Sequence, residues 1–282
     1  MSRLRLGQLD YINCLPVYHA LEEGLLPLEA ELVKKPPNVL NRLFMSGQLD
    51  VSPLSSIEYA RNKDSCIILP GLSISADGRV MSILLFSKVP VTELEGKKVC
   101  LTESSATGVA LLKVLFDHYY HVDVDYETTV PELSGMMERA DGALLIGDNA
   151  MQAHQYVEEH HIPYHVTDLG ETWKQFTGAK MVYAVWVVRK AYASSNAAAV
   201  NYLSNILINS KEIGHRQITA VAAKAQQRSG LPLSVTEDYF KTIKHDFGDD
   251  ERKALLTFYD YAYKSGLIDE RVKLRVWGEA GA

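Results

Sequence analysis

The sequence predicts an α/β protein of two lobes followed by a helical C-terminal region. Three observations lead there. Strand-like and helix-like segments alternate through the first sixty or so residues. The alternation gives way to consecutive strand-like runs between Cys66 and Lys88 and then begins afresh. After Ala191 every periodic segment is helical. With 282 residues, 47% hydrophobic and 23% charged, the chain is long enough for two cores and has no composition of disorder.

Taken in order, RLRLGQL reads as a strand that runs into DYINCLPVYHALEEG. Pro16 suits the first turn of that helix, where its missing N–H would have no partner, and Gly24 ends it. AELVKKP is the next strand. Pro36, Pro37 and Asn38 then open a helix whose Val39, Leu40, Leu43 and Phe44 share a face before Gly47. QLDVSP is a third strand, delivering Ser52, Ser55 and Ser56 to the start of the helix SSIEYARN. CIILP, LSIS and VMSILLFSK read as separate strand-like runs, with the turn ADG between the last two. From KKVCL to YHVTDL the pattern is strand, helix, strand, helix, strand, helix, strand. GETWKQFTG follows as a helix stopped by Gly178, and MVYAVWVVR has the near-continuous apolar character of a strand buried on both faces. FMSGQLDVSPLSSIEYA and MERADGALLIGDNAMQA echo each other: a helix end, an Asp (Asp50, Asp141), a short apolar strand and a new helix start. If the halves are duplicates, ligands belong beyond the carboxyl ends of the strands, in a shared cleft.

The charge of −6, without any block of Lys or Arg, argues against nucleic acid or an anionic membrane as partner. Cys14, Cys66 and Cys100 are odd in number and form no CxxC, which predicts a reducing compartment and no disulfide framework. MSRLRLGQLDYINCLP lacks the apolar core of a signal peptide, and no run reaches membrane-span length, so a cytoplasmic protein is expected. GxSxG, P-loop and GxGxxG patterns are missing. Among the nine histidines, His118 with His121 and His161 with His165 have helical spacing but read as surface residues, so the histidines offer no metal-ligand set.

The stretch TESSATGVALLKVLF has the layout of an anion site. Ser104, Ser105, Ala106 and Thr107 stand where a strand ends and a helix begins, so free amides, hydroxyls and the positive helix end all point at one place. An ordinary Ser/Thr cap is the alternative. Similar junctions recur at DVSPLSSIEYA and at ALLIGDNAM, which holds Gly147 and Asp148.

GQLDYINCLP, LDVSPLSSIEYA, LPGLSISADGRVMSILLFSK, LTESSATGVALL, ALLIGDNA, DLGETWKQFTG and VYAVWVVR, in that order over roughly the first 190 residues, resemble the chorismate dehydratase family of the futalosine route to menaquinone. The resemblance implies a type II periplasmic-binding-protein-like fold. Lobe I would comprise residues 1–88 and 184–282 and lobe II residues 89–183, with a ligand cleft between them and crossover strands near residues 88 and 184 as a hinge. It implies loss of water from chorismate to give 3-[(1-carboxyvinyl)oxy]benzoate, without metal or redox cofactor. Two carboxylates must be held, one hydroxyl must leave and one ring proton must go. Ser104, Ser105, Ala106 and Thr107 would hold one carboxylate, and Ser55 and Ser56 the other. Asn13 and Ser82 match positions that face the ring and would act on the departing hydroxyl. The matched motifs offer no evident protein base, and the substrate's own enolpyruvyl carboxylate is one candidate acceptor for the proton. Read without the resemblance, Asn13 is an N-cap for the helix at Pro16, Ser82 a sheet hydroxyl, and Asp148 either a cleft residue or a cap. Asp10, Tyr11 and Asp77 are not assigned. Asn149 stands where the family pattern more often has Asp. Two rival readings share the fold. One is a 1,4-dihydroxy-6-naphthoate synthase, which uses a cleft histidine that the matched stretches lack. The other is an exported carboxylate receptor.

Overall fold

The structure, a computed structural model, describes residues 3–279. Two five-stranded sheets form its frame. In the first, β1 (Leu4–Leu9) lies parallel to both β2 (Ala30–Lys35) and β3 (Val51–Ser55), and the order is completed by a late strand and β4 (Cys66–Ala76). The second holds β5 (Ile83–Ser87), β6 (Lys98–Thr102), β7 (Asp125–Thr129), β8 (Gly142–Ile146) and β9 (His165–Asp168) in the order β7-β6-β8-β5-β9. The late strand of the first sheet is β10 (Met181–Arg189), giving the order β2-β1-β3-β10-β4.

The two orders are the same pattern. Each sheet has its second, first and third strands side by side and parallel, then an antiparallel strand, then its last. In each case the antiparallel strand is the one that follows the other sheet's last strand: β5 follows β4, and β10 follows β9. The sheets therefore exchange one strand each, and the two sequence stretches that echo each other become β3 and β8, which hold equivalent places.

The chain crosses between sheets at residues 77–82 and returns through a helix before Met181. These crossings lie earlier than residues 88 and 184. ILLFS is the cause: its backbone pairs with β8 from Ile83 to Ser87, which puts these residues in the second sheet instead of at the end of the first. CIILP and LSIS, read as two strands, form one. β4 spends five residues where β10 spends two, so its middle bulges outward around Gly71, whose φ of +71° an L-residue adopts only under strain.

The helices follow their sequence signals closely. In chain order they are α1 (Leu15–Glu22), α2 (Pro37–Met45), α3 (Ser56–Arg61), α4 (Ala106–Leu115), α5 (Leu133–Arg139), α6 (Gly147–Glu159) and α7 (Leu169–Thr177). After β10 come α8 (Lys190–Ala193), α9 (Ala197–Arg216), α10 (Ile218–Ser229), α11 (Leu233–Thr242) and α12 (Asp249–Lys264). Pro16 and Pro37 sit in first turns, and Gly178 closes α7 at φ +72°. A single π-turn, Phe116–Tyr120, extends α4.

β10 is buried along eight of its nine residues, which fits its place inside the first sheet with layers on both faces. Alternation on β5 separates two cores. Ile83 and Leu85 join the large cluster that runs through the whole molecule, while Leu84 and Phe86 turn to a smaller one under α5 and α6 with Met136, Met137 and Val157. Leu203, Leu207, Val221 and Phe258 of the C-terminal helices belong to the same large cluster as Leu6, Val51 and Ile74. Among the described residues no helix is long and apolar enough to cross a membrane.

Candidate functional site

A cleft opens where the carboxyl ends of β3 and β8 meet the β4–β5 connection and β10. Its walls include Asn13, Ser55, Ser82, Ser105, Thr107 and Gly147 from the sequence-predicted set, together with Tyr11, Tyr183 and Ile243. Residues from 13 to 147, drawn from both sheets, thus face one space.

Asn13 reaches it from a 3₁₀ turn, Ile12–Cys14, that leads into α1. Its side chain does not cap that helix: the N-cap is Cys14 and no side chain bonds there. Instead Oδ1 of Asn13 is buried without a hydrogen-bond partner, and its backbone carbonyl accepts from Nε2 of His245 at 2.7 Å. Burial lowers the His245 pKa to about 3. The imidazole is therefore neutral at physiological pH, and its one proton is committed to fixing the Asn13 backbone.

Ser82 is not a sheet hydroxyl. It precedes β5, in the connection held by Asp168, the N-cap of α7. The Asp168 carboxylate accepts from the amides of Val80 (3.0 Å), Met81 (2.7 Å), Gly170 (2.9 Å) and Glu171 (3.1 Å). Met81 sits at φ +65°, an unusual conformation for its residue type, and these bonds hold it there. Oγ of Ser82 accepts from the phenol of Tyr239 at 3.0 Å, and its carbonyl accepts from the amide of Gly147 at 2.7 Å.

Gly147 opens α6 at φ +60°, and a Cβ there would stand 3.1 Å from three ring carbons of Tyr11. Both the turn and the aromatic ring lying on it require glycine. Next to it, Oδ1 of Asp148 accepts from the Ile12 amide at 3.2 Å, a bond between the unit built on the second sheet and that built on the first. Burial raises the Asp148 carboxyl to about 6; the Ile12 amide works against this and the charge of Asp10 adds to it. Burial also raises the Tyr11 phenol, with the Ser104 hydroxyl opposing.

At the TESSATG junction the hydroxyls divide their work. Ser105 is the N-cap of α4 and accepts from the Gly108 amide at 2.9 Å. Ser104 is turned inward onto Thr102, their oxygens 2.6 Å apart. Thr107 accepts from the Ile57 amide at 3.2 Å and shares a hydrogen bond with the buried Ser56 hydroxyl at 3.3 Å. Ser56 and Ser104 therefore stand behind the wall instead of in it, and Thr107 ties α4 to α3. The first amides of α4, those of Ala106 and Thr107, precede any intrahelical carbonyl that could take them. Across the cleft, the Ser55 hydroxyl accepts a long bond from Nδ2 of Asn41 at 3.5 Å.

Of the unassigned residues, Asp10 pairs with Lys34 at 3.2 Å and Asp77 with Lys174 at 2.6 Å, both toward solvent. Asn149 donates to the Pro131 carbonyl at 3.2 Å, away from the cleft. His121, His161 and His165 are exposed, and His118 packs edge-on against Tyr261. Sequence reasoning missed Tyr183, whose phenol oxygen is buried in the cleft wall without a partner, and it missed Tyr239, His245 and Asp168. Asp168 carried a readable signal, an Asp before the helix LGETWKQFT. Tyr183 sits in a strand that was legible as a strand, but nothing in its pattern marks one side chain as facing a cleft, and Tyr239 and His245 reach the site only through contacts distant in sequence.

A curated chorismate dehydratase of Thermus thermophilus is 32% identical over 90% of this chain and 93% of its own length. A 1,4-dihydroxy-6-naphtoate synthase of the same organism is 26% identical over 95% of this chain and 96% of its own length. Among solved structures, an Archaeoglobus fulgidus protein superposes with a TM-score of 0.79 at 18% identity, covering 94% of this chain and 98% of its own. The alkanesulfonate-binding protein of Xanthomonas axonopodis, bound to MOPS, does so with a TM-score of 0.71 at 16% identity and 98% coverage of both chains. These likenesses carry the fold, that of the periplasmic binding proteins. The family described as menaquinone biosynthesis matches residues 4–264, and the chain belongs to it.

Proposed function

We propose that this protein is a chorismate dehydratase, a carbon–oxygen lyase that converts chorismate to 3-[(1-carboxyvinyl)oxy]benzoate. The observation that carries the reading is that Asn13 and Ser82 line one cleft together with Ser55, Ser105 and Thr107. Oδ1 of Asn13 and the phenol of Tyr183 are buried polar groups without partners, on residues that line the cleft. Both being in this wall supports a polar small molecule as occupant.

Chorismate needs little from an enzyme beyond placement, because its ring gains aromaticity once water is lost. One carboxylate is held by the Ala106 and Thr107 amides with Ser105, at the positive end of α4. The other is held on the Ser55 side. Asn13 and Ser82 face the departing hydroxyl and stabilise charge as the C–O bond lengthens. The ring C–H bond on the carbon bearing the enolpyruvyl ether breaks, its electron pair completes the aromatic ring, and the C–O pair leaves with the hydroxyl. The proton passes through the substrate's own enolpyruvyl carboxylate to that hydroxyl, which departs as water. Burial makes His245 a poor base, and its Nε2 proton is given to the Asn13 carbonyl.

Incubating the purified protein with chorismate and following products by mass tests the reading. The expected product is chorismate less one water, with an aromatic spectrum. Unchanged chorismate would reject it, and binding without turnover would favour a receptor.

A further inference from the structure

Ser82 has its hydroxyl set by another residue. The side chain is 4% exposed, and its Oγ has two neighbours in the protein. One is the Val80 carbonyl at 3.4 Å, a long and weak acceptor for the Ser82 proton. The other is the phenol of Tyr239, which donates to Oγ at 3.0 Å. Tyr239 comes from α11, 157 residues further along the chain, and is 1% exposed with its ring against Phe240. Burial pushes its phenol well above the ordinary tyrosine range, so it keeps its proton and remains a donor. A serine oxygen that already receives one hydrogen bond has its own proton directed elsewhere. Here that proton has only the poor bond to Val80 to give up, and the open side of Ser82 is the cleft, where Oδ1 of Asn13 also lacks a partner.

We propose that Tyr239 is a positioning residue for the dehydration: by donating to Oγ of Ser82 it aims the Ser82 proton at the departing hydroxyl and strengthens that donation. The proposal rests on the function proposed above. A hydrogen bond received by a hydroxyl polarises the one it gives, more so in a dry site. Neither side chain loses its proton. Ser82 stabilises the leaving oxygen by a hydrogen bond, Tyr239 stabilises Ser82, and the proton that completes the water is the ring proton. The C-terminal helices thus contribute to the site through α11.

Three variants of the full chain test this on chorismate: Tyr239→Phe, Ser82→Ala and the two combined. Tyr239→Phe keeps the ring and should keep the fold. Its kcat should fall by roughly tenfold with KM changed by less than about twofold. The double variant should be no slower than Ser82→Ala alone, because the oxygen to which Tyr239 donates is then gone. Wild-type kcat in Tyr239→Phe overturns the proposal, and so does a double variant whose loss is the product of the single losses. A wild-type protein inert toward chorismate overturns the function and the positioning together. An active wild type with an unaffected Tyr239→Phe overturns the positioning alone. Should Tyr239→Phe not fold, difluorotyrosine at position 239 preserves shape and donates more strongly. It should change kcat with Ser82 present and leave the Ser82→Ala protein unmoved. No change in either background counts against the proposal.

Discussion

Thr107 illustrates how much one hydroxyl can carry in this protein. It accepts from the Ile57 amide and bonds to Ser56, both buried. Thr107→Val keeps the shape but leaves these groups unpaired, at a cost of about 1–3 kcal/mol. A chemical-denaturation midpoint should move accordingly, whereas an unmoved midpoint would mean that the tie between α3 and α4 carries no weight. Ser105→Ala, by contrast, removes a cap and a wall hydroxyl. If the α4 end holds a carboxylate equally in ground and transition states, KM should rise more than kcat falls. Asp148 yields a pH prediction. In an unfolded chain an Asp titrates near its usual value of about 3.9, while in the fold this one holds its proton up to about 6. Between those values the folded state binds more protons, so this group's contribution to stability falls as pH rises through that window and stays lost above it. The amide oxygen of Asp148→Asn can still accept from Ile12. That variant should flatten the slope between pH 4 and 6 and raise stability at pH 7, by at most about 3 kcal/mol. Equal slopes in the two proteins would contradict the burial of Asp148. Of this site, the hydroxyl run and Gly147 were legible in sequence because each sits at a strand-to-helix junction. Which hydroxyl faces the cleft was not. Ser104 and Ser105 are neighbours between the end of β6 and the start of α4, and only Thr102 and Gly108 as partners decide between them.

The β4–β5 connection shows the same logic at the level of an element. Its left-handed Met81 is a strained conformation imposed by the Asp168 carboxylate, and Ser82 is aimed by it. Asp168→Ala removes an N-cap and the acceptor for Val80 and Met81 at once, a loss of about 2–4 kcal/mol. The more telling readout is hydrogen exchange. The Met81 amide should be protected in the wild type and exchange freely in Asp168→Ala; equal protection in both would show that the connection holds itself. At the α1–α9 contact, a Cβ on Gly214 would lie 2.0 Å from the Pro16 carbonyl oxygen. Gly214→Ala should push α9 away and cost at least about 2 kcal/mol. Segments with strong local periodicity, such as α2, α4 and β10, were readable because their burial pattern is written in consecutive residues. β4 was read as two strands because Pro70 and Gly71 look like a stop. Its bulge is instead stabilised from far away, by the Lys211 side chain on the Gly71 carbonyl and the His245 carbonyl on the Ser73 amide.

At the scale of the molecule, the exchange of β5 and β10 leaves two connections between the sheets. Asp148 to Ile12 and Thr107 to Ile57 are bonds across the cleft that such an arrangement can make or break. Two units joined in this way can hinge, and a ligand that touches both favours the closed form by its differential affinity. α12 limits the motion on one side, since its Phe258 and Tyr261 pack on Trp173 and Phe176 of α7. Small-angle scattering should therefore show compaction on saturation with a product analogue, and an unchanged envelope would argue for a permanently closed cleft. The C-terminal region, unremarkable as sequence, gives the site Tyr239, Ile243 and His245, because contacts across more than 150 residues leave no local trace. Asn13 and Ser82 are proposed to act on the hydroxyl that leaves chorismate. Steady-state rates of aromatic product formation, for wild type beside Asn13→Ala and Ser82→Ala, test it most directly. Wild type should turn chorismate over, and each folded variant should lose roughly ten- to a thousandfold in kcat with KM nearly intact; no product from wild type, or undiminished turnover in both variants, would contradict it.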